Sequence, residues 1–322
     1  MATFVPMSNP KELYRCFCAQ APPDFPVFMQ DWYLDAVCTG GTWDAVVHLH
    51  QGKIVGVWPF FLKKKAVWTY IAMPLMGKLM GPYIVPEQRE ISAEMRILDE
   101  MANRLPPGLA AFEQDFNYTI TNWLPLYWRG FSQTTRYSYQ IPLRPATSAE
   151  LWENVAPNYK RKIKKARELV EVSTPLPATT LYDLCAQSFK RQRLAFPLDP
   201  TYFFQIYEAF AQRNAGKAFY AVGKNDGAVH SAIFLVWDQQ SAYLLWGGDD
   251  PAFRQSGSGI LLQWHAIEYA QNTLQLAVFD FEGSMIKSVE QSRRHLGGVQ
   301  KAYFRVRKEW SPLWKWGKFL FR

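Results

Sequence analysis

The sequence predicts a mixed α/β fold, an α+β arrangement of helices on a mixed sheet, shared between two domains. Three observations carry this expectation. The chain has 322 residues, more than one core of ordinary size accommodates. Its 48% hydrophobic and 16% aromatic content is ample for real cores and far from a disordered composition. Strand-like runs interleave with helical stretches along the whole length, which favours a mixed class over all-α or all-β.

In the first half, helices are expected over 11–19 and 30–38, on either side of the proline-rich break 21–26. Strands follow at 43–49 and 54–63, joined by a hairpin turn at His50-Gln51-Gly52-Lys53 that Gly52 supplies. A helix over 87–104, stopped by Pro106-Pro107-Gly108, precedes a strand at 109–116. Residues 137–143 alternate as a strand, and Pro142 with 144–147 reads as a linker. That places the two domains at 1–145 and 146–322.

The second half opens with helices over 159–169, 181–191 and 200–214, the last with Pro200 suited to a first helical turn. Strands 218–224 and 230–237 flank the turn Lys224-Asn225-Asp226-Gly227. Strand 242–246 leads through a glycine-rich loop into a helix over 260–271. A strand at 276–281, a short helix near 288–296 and a strand at 302–307 complete the order. The two halves share this order without repeated sequence.

The formal net charge is +8 and is unevenly placed. Residues 1–145 carry 13 Lys and Arg against 12 Asp and Glu, and the remainder carries 23 against 16. An anionic partner is therefore expected at the second half. The four cysteines form no Cys-x-x-Cys pair, so they suit buried positions in a reducing compartment better than a disulfide frame or a metal site. Residues 1–20 lack the apolar core of a signal peptide, and no stretch nears 18 uninterrupted apolar residues. A soluble, cytoplasmic protein without a bound metal is expected.

The most informative motif is Arg254-Gln255-Ser256-Gly257-Ser258-Gly259, between a hydrophobic strand and an amphipathic helix. Unpaired backbone N–H groups and the positive end of the helix dipole favour an anion there. Glycines keep side chains from blocking its approach. The spacing fits neither a P-loop nor a dinucleotide Gly-x-Gly-x-x-Gly fingerprint.

Strand, Arg254-x-x-Gly257-x-Gly259, helix, strand resembles motif A of the GNAT acyltransferase superfamily. Further stretches are similar to its FemA/FemB/FemX-like branch, which has two GNAT-type domains in tandem. They are the basic run 159–167, Phe279-Asp280-Phe281-Glu282-Gly283-Ser284, His295-Leu296-Gly297-Gly298, and the hairpin before Ile54–Phe60. The resemblance implies an N-acyltransferase with an acyl-CoA donor whose pyrophosphate lies on the loop amides. It also implies that Trp246 and Gly247, on a strand splayed from its neighbour, offer backbone groups to the donor. The acceptor would be an amine, with a lipid-linked cell-envelope precursor as one candidate, held in a groove between the domains. The branch also contains aminoacyl-tRNA-dependent enzymes that extend peptidoglycan bridge peptides, and that reading stays open. Those enzymes commonly carry a long helical-hairpin insertion, and no such segment exists here.

Six of the eleven residues 158–168 are Lys or Arg, while Tyr159, Ile163, Ala166 and Val170 share one helical stripe. This is either a solvated face or a phosphate clamp, with Tyr159, Lys160, Lys164 and Arg167 as candidate substrate-binding residues. Asp280 and Glu282 are the candidate catalytic carboxylates, since amine acylation needs a neutral nitrogen and a proton acceptor. Both are read as strand residues facing one side, and either could instead pair with Arg293 or Arg294. Asp249 and Asp250 are weaker candidates that could cap a turn. The five scattered histidines support no Ser/His/Asp triad. The tail Glu309–Arg322 mixes Trp, Phe and cations, suiting either peripheral membrane contact or docking on the body. A non-catalytic binder of nucleic acid or membrane surfaces remains a third class.

Overall fold

A computed structural model of the chain describes residues 9–314, apart from 175, 192 and 284. The chain divides into two compact units, residues 1–136 with 302–322 and residues 137–301.

The first unit begins with helices α1 (Pro10–Cys18) and α2 (Asp31–Val37). The Asn9 side chain opens α1 by accepting the Lys11 amide at 3.0 Å. Strands β1 (Thr42–His50) and β2 (Lys53–Lys65) form the expected hairpin. Both Gln51 and Gly52 take positive φ, 50° and 78°, as a two-residue turn between twisted strands demands. β3 (Trp68–Ala72), β4 (Tyr83–Ile84), helix α3 (Ile91–Asn103), β5 (Leu109–Asp115) and helix α4 (Leu124–Trp128) follow, and most of β6 (Ser132–Pro142) already belongs to the second unit. The core gathers on Trp58, whose ring meets Phe112 and Phe116 edge-on at 5.8 and 5.7 Å. Its indole N–H donates to Gln114 Oε1 at 2.6 Å, and the Gln114 amide donates to Pro59 O at 2.9 Å, so this buried polar pair is satisfied.

The second unit contains helices α5 (Ser148–Glu153) and α6 (Pro157–Leu169), strand β7 (Val170–Ser173), helices α7 (Ala178–Arg191) and α8 (Pro200–Ala211), and strands β8 (Gly216–Gly223), β9 (Val229–Trp237) and β10 (Ser241–Asp249). Helix α9 (Ser258–Asn272), β11 (Val278–Asp280) and α10 (Lys287–His295) lead to β12 (Val299–Glu309). Its strands run in the order β6-β11-β10-β9-β8-β7, antiparallel except for the parallel pair β10 and β11. Leu262, Ala266 and Ile267 of α9 are fully buried in the same cluster as Phe279 and Leu244, which seats α9 on the sheet.

β12 is the main departure from the expected division at residue 145. It was placed with the second domain, yet most of it belongs to the first unit, where it pairs antiparallel with β5. The Arg305 guanidinium grips Asp115 through two bonds of 2.5 and 2.6 Å, a bidentate pair reinforcing that register. β3, β4, β7, α4 and α5 were not anticipated. β7 follows α6 without any intervening residue, and β4 is two residues long, so neither carries a boundary signal of its own. Trp314 is buried against Trp68 and Tyr70, ring centroids 5.9 and 4.6 Å away. The rest of the aromatic, cationic tail, from residue 315, lies outside the described residues, as does any membrane contact it would make. Among the described residues no helix is long and apolar enough to cross a membrane.

Gly248 of β10 lies directly beneath α7, where a Cβ would stand 2.3 Å from the Leu184 carbonyl. Gly248→Ala is expected to destabilise the protein by about 1–3 kcal/mol, because helix backbone rather than a pliable side chain must move. Urea unfolding of the two proteins checks this.

Candidate functional site

The strand entering the site is prepared by its neighbours. β10 pairs with β11 only over Ser241–Tyr243, then runs on to Asp249 with no partner strand on that side among the described residues. On its other edge the register with β9 shifts between Leu244 and Trp246, a bulge that re-aims the strand. Backbone groups on an open edge need partners, and α7 supplies them. The Asp249 amide donates to Ser188 Oγ at 2.9 Å, and the Gly247 amide donates to the Cys185 thiol, which burial pushes up to about 12. Trp246 stacks its indole on Phe203 at 4.1 Å and near Phe234 at 5.5 Å, so its side chain is core.

The loop is then anchored residue by residue. Asp250 accepts the Ala252 amide at 2.8 Å, the turn-capping role considered for it in the sequence. Phe253 stacks flat on His230 at 4.1 Å. Ser256 Oγ donates to Ser258 Oγ at 3.0 Å, and Ser258 bonds in turn to Ser231 of β9. Both loop serines are buried, so their hydroxyls tie the loop to the sheet.

Gly257 is the N-cap of α9 and adopts φ 74°, ψ 12°, a left-handed conformation costing most side chains about 1–2 kcal/mol. No side chain caps the helix. Within its first turn the Ser258 amide reaches only the Ser256 hydroxyl at 3.3 Å, and the Ile260 amide folds back to Gly257 O at 3.1 Å. Among the described residues no acceptor takes the Gly259 amide. A helix start left in this state presents partial positive charge to whatever lies in front of it.

In front of it is a cavity of about 470 Å³. The whole loop from Arg254 to Gly259 lines it, with Asp249, Ile260, Gln263 and Ser292, and with Tyr159, Lys162 and Lys165 of α6. α6 reaches the loop by close packing: a Cβ on Gly257 would lie 3.4 Å from Lys162 O and 3.8 Å from Ala166 Cβ. Opposite, a Cβ on Gly259 would lie 2.3 Å from Asp249 Oδ1, so that position tolerates no side chain unless the carboxylate moves.

The structure thus brings together the loop and the basic helix, which the sequence shows only as separate motifs. It divides the helix differently from the expected substrate-binding set. Tyr159 lines the cavity, whereas Lys160, Lys164 and Arg167 do not. Lys160 pairs with Glu153 at 3.1 Å, Arg167 pairs with Glu268 at 3.3 Å, and Lys164 is solvent-exposed. Lys162 and Lys165 were missed. Their signal is the step of three from Tyr159, which places them on one flank of the buried stripe. Asp249, only a weaker candidate in the sequence, also lines the cavity, and Gln263 carries no sequence signal at all.

The two candidate carboxylates are not strand neighbours. β11 ends at Asp280, and Glu282 follows in a turn with φ 61°, so strand alternation does not extend to it. Asp280 is fully buried and accepts from Ser138 Oγ at 2.5 Å, Gln140 Nε2 at 2.8 Å and the Glu282 amide at 2.7 Å. Arg293 donates to Gln263 Oε1 at 2.7 Å and lies over the Phe281 ring at 5.0 Å. Desolvation pushes its guanidinium down to about 10, while Glu282 and Asp280 act in the opposite direction. Arg294 pairs with Glu290 at 3.0 Å.

Residues 154–290 match the family model of the acetyltransferase (GNAT) domain. No curated protein matches the chain. Among solved structures it is similar to FemX, with a TM-score of 0.71 at 13% identity, over 91% of this chain and 95% of that one. It is also similar to a tandem GNAT protein from the clavulanic acid biosynthesis pathway (TM-score 0.55, 13% identity, 94% of each chain). A conserved protein of unknown function from Bacteroides thetaiotaomicron gives a TM-score of 0.55 at 11% identity, over 91% of each chain. Residues 154–290 thus form a GNAT-type acetyltransferase domain, and the chain as a whole shares its fold with FemX and the tandem GNAT protein.

Asp249 is the one carboxylate side chain lining the cavity among the described residues. Asp249→Asn is expected to tighten binding of inorganic pyrophosphate about three- to tenfold, because a unit charge a few ångströms from an anion matters even with strong screening. Isothermal titration at fixed ionic strength measures it.

Proposed function

We propose that the chain transfers an acyl group from an acyl-CoA to an amine, with the donor diphosphate on the Arg254–Gly259 amides. The observation that carries this is the uncapped start of α9, which opens on a cavity beside the unpartnered stretch of β10. That geometry suits a diphosphate at the helix and an acyl arm along the strand edge. Because the amides of Gly247 and Asp249 already donate to α7, the strand contributes to the donor through its remaining backbone groups at Trp246 and Gly247.

In the reaction the neutral amine nitrogen attacks the thioester carbonyl carbon. The new C–N bond forms, the C–S bond breaks, and the CoA thiolate leaves with the electron pair. The proton lost by the nitrogen passes, directly or through water, to Glu282, and a proton returns to the thiolate. Asp280 is cast as the orienting carboxylate, since its bond to the Glu282 amide fixes the turn that carries Glu282. The acceptor class implied by the family resemblance is an amine of a cell-envelope precursor. An aminoacyl-tRNA donor is the second reading, supported by the basic helix on the cavity wall.

Titration with acetyl-CoA is expected to show binding in the micromolar range, the usual scale for such substrates (about 1 μM to 1 mM). Gly257→Val should weaken it at least tenfold. Glu282→Gln should lower turnover about 10²- to 10⁴-fold with donor binding unchanged, as loss of a proton acceptor does. Absence of any response to CoA thioesters, with tRNA bound instead, would end the acyl-CoA reading.

A further inference from the structure

One end of the sheet in the first unit carries an exposed aromatic and aliphatic surface that the acyl-transfer site does not use. Three segments meet there. The β2–β3 hairpin closes with Lys65 opposite Trp68, and its tip leaves Val67 88% exposed. β3 runs parallel to β5 from Thr69 opposite Leu109, so the start of β5 lies beside that tip. β12 ends on the same strand, with Glu309 opposite Ala111 and the Trp310 amide donating to Ala110 O at 3.0 Å. Beyond it Leu313 is 67% exposed, while its neighbour Trp314 packs on Trp68 of the hairpin. The third segment is α4 with the turn after it. Lys308 of β12 donates to Arg129 O in that turn and lies 5.0 Å from both the Phe131 and Trp310 rings.

α4 buries Pro125 and Leu126 and turns Leu124, Tyr127 and Trp128 outward, at the spacing of three and four that shares one helix face. A single exposed apolar side chain is ordinary, but six on adjoining segments mark a contact surface. The charge among them has one sign. Residues 63–68, 124–131 and 308–314 hold five cations and one carboxylate, Glu309. Lys63, Lys64 and Lys308 form no ion pair among the described residues, and Arg129 pairs with Asp99 of α3 at 2.6 Å. Past Trp314 the sequence adds Lys315, Lys318 and Arg322 among aromatic and aliphatic residues, and no acid.

A second copy of the chain would bring the same positive charge to this surface, and so would the residues after Trp314, so neither is a complementary cover. An anionic bilayer is. Trp and Tyr rings lie at headgroup level, aliphatic tips enter the acyl boundary, and lysine stems let their ammonium groups reach lipid phosphates. We infer that this end of the first unit docks the protein on an anionic lipid surface by shallow insertion of Val67, Trp128 and Leu313. The inference is independent of what the second unit transfers and from which donor.

Co-sedimentation of the full chain with vesicles tests it, comparing pure phosphatidylcholine with phosphatidylcholine containing about 30% phosphatidylglycerol. The wild type is expected to bind the anionic vesicles about tenfold or more tightly than the neutral ones. Val67→Ser/Trp128→Ser/Leu313→Ser should weaken that binding about tenfold or more, and Lys63→Gln/Lys64→Gln about fivefold or more. None of these five side chains is buried, so both variants should unfold at the wild-type temperature. Phosphatidylglycerol brominated near the headgroup should quench the tryptophan fluorescence of the wild type. Absence of wild-type binding to anionic vesicles, or binding without quenching, overturns the inference. Undiminished binding by the triple variant also overturns it, by assigning attachment to charge alone or to the residues after Trp314. Binding of RNA in place of vesicles, weakened by the lysine substitutions, assigns the surface to nucleic acid and overturns it as well.

Discussion

The packing of α6 against the left-handed turn at Gly257 is the constraint on which the site depends. Ile163 and Ala166 are completely buried, which presses α6 toward α9. A Cβ at position 257 would meet α6 at ordinary contact distance, 3.4 Å from Lys162 O, so it is the left-handed φ of 74° that calls for glycine there. Two consequences come from one residue. Gly257 itself offers no side chain to cap α9, so the Gly259 amide has no acceptor among the described residues, and a second wall of cationic side chains comes to the cavity. A capped helix, or a helix held farther off by a bulky turn residue, would give a single-walled groove with weaker purchase on an anion.

The strand leading into that turn shows how an open sheet edge is kept without exposing idle backbone. A parallel partner accompanies β10 for three residues and then stops. Past that point the amides of alternate residues, Gly247 and Asp249, go to Cys185 and Ser188, three apart on α7. α7 therefore reaches these amides from over the sheet face, and it must lie almost on the backbone, which is why position 248 is glycine. The opening is thus a maintained feature of the fold, stabilised by hydrogen bonds of side chains short enough to reach.

Much of this was legible in the residues. Helical periodicity and strand alternation located most long elements, and the spacing Arg254-x-x-Gly257-x-Gly259 between a strand and a helix identified the loop. The division of labour on α6 was not legible. Six cations on a short helix look alike in sequence, and only the positions of Glu153 and Glu268, brought near by folding, separate the neutralised ones from Lys162 and Lys165. The inward turn of the Ser256 and Ser258 hydroxyls was equally hidden, because it depends on Ser231 of another strand. Glu282 was misread as a strand residue because a non-glycine residue at φ 61° leaves no mark on the hydrophobic pattern.

The path of β12 has a bearing on how the molecule is made. Most of the first unit precedes residues 137–301, yet a strand paired with β5 is supplied only after they have been traversed. During synthesis the second unit can therefore close on itself while the first still presents the bare edge of β5. Asp115 on that edge waits for Arg305, its partner 190 positions later. Of the two units, the one entered first is completed second, and its sheet edge stays open to wrong partners while the other is being made.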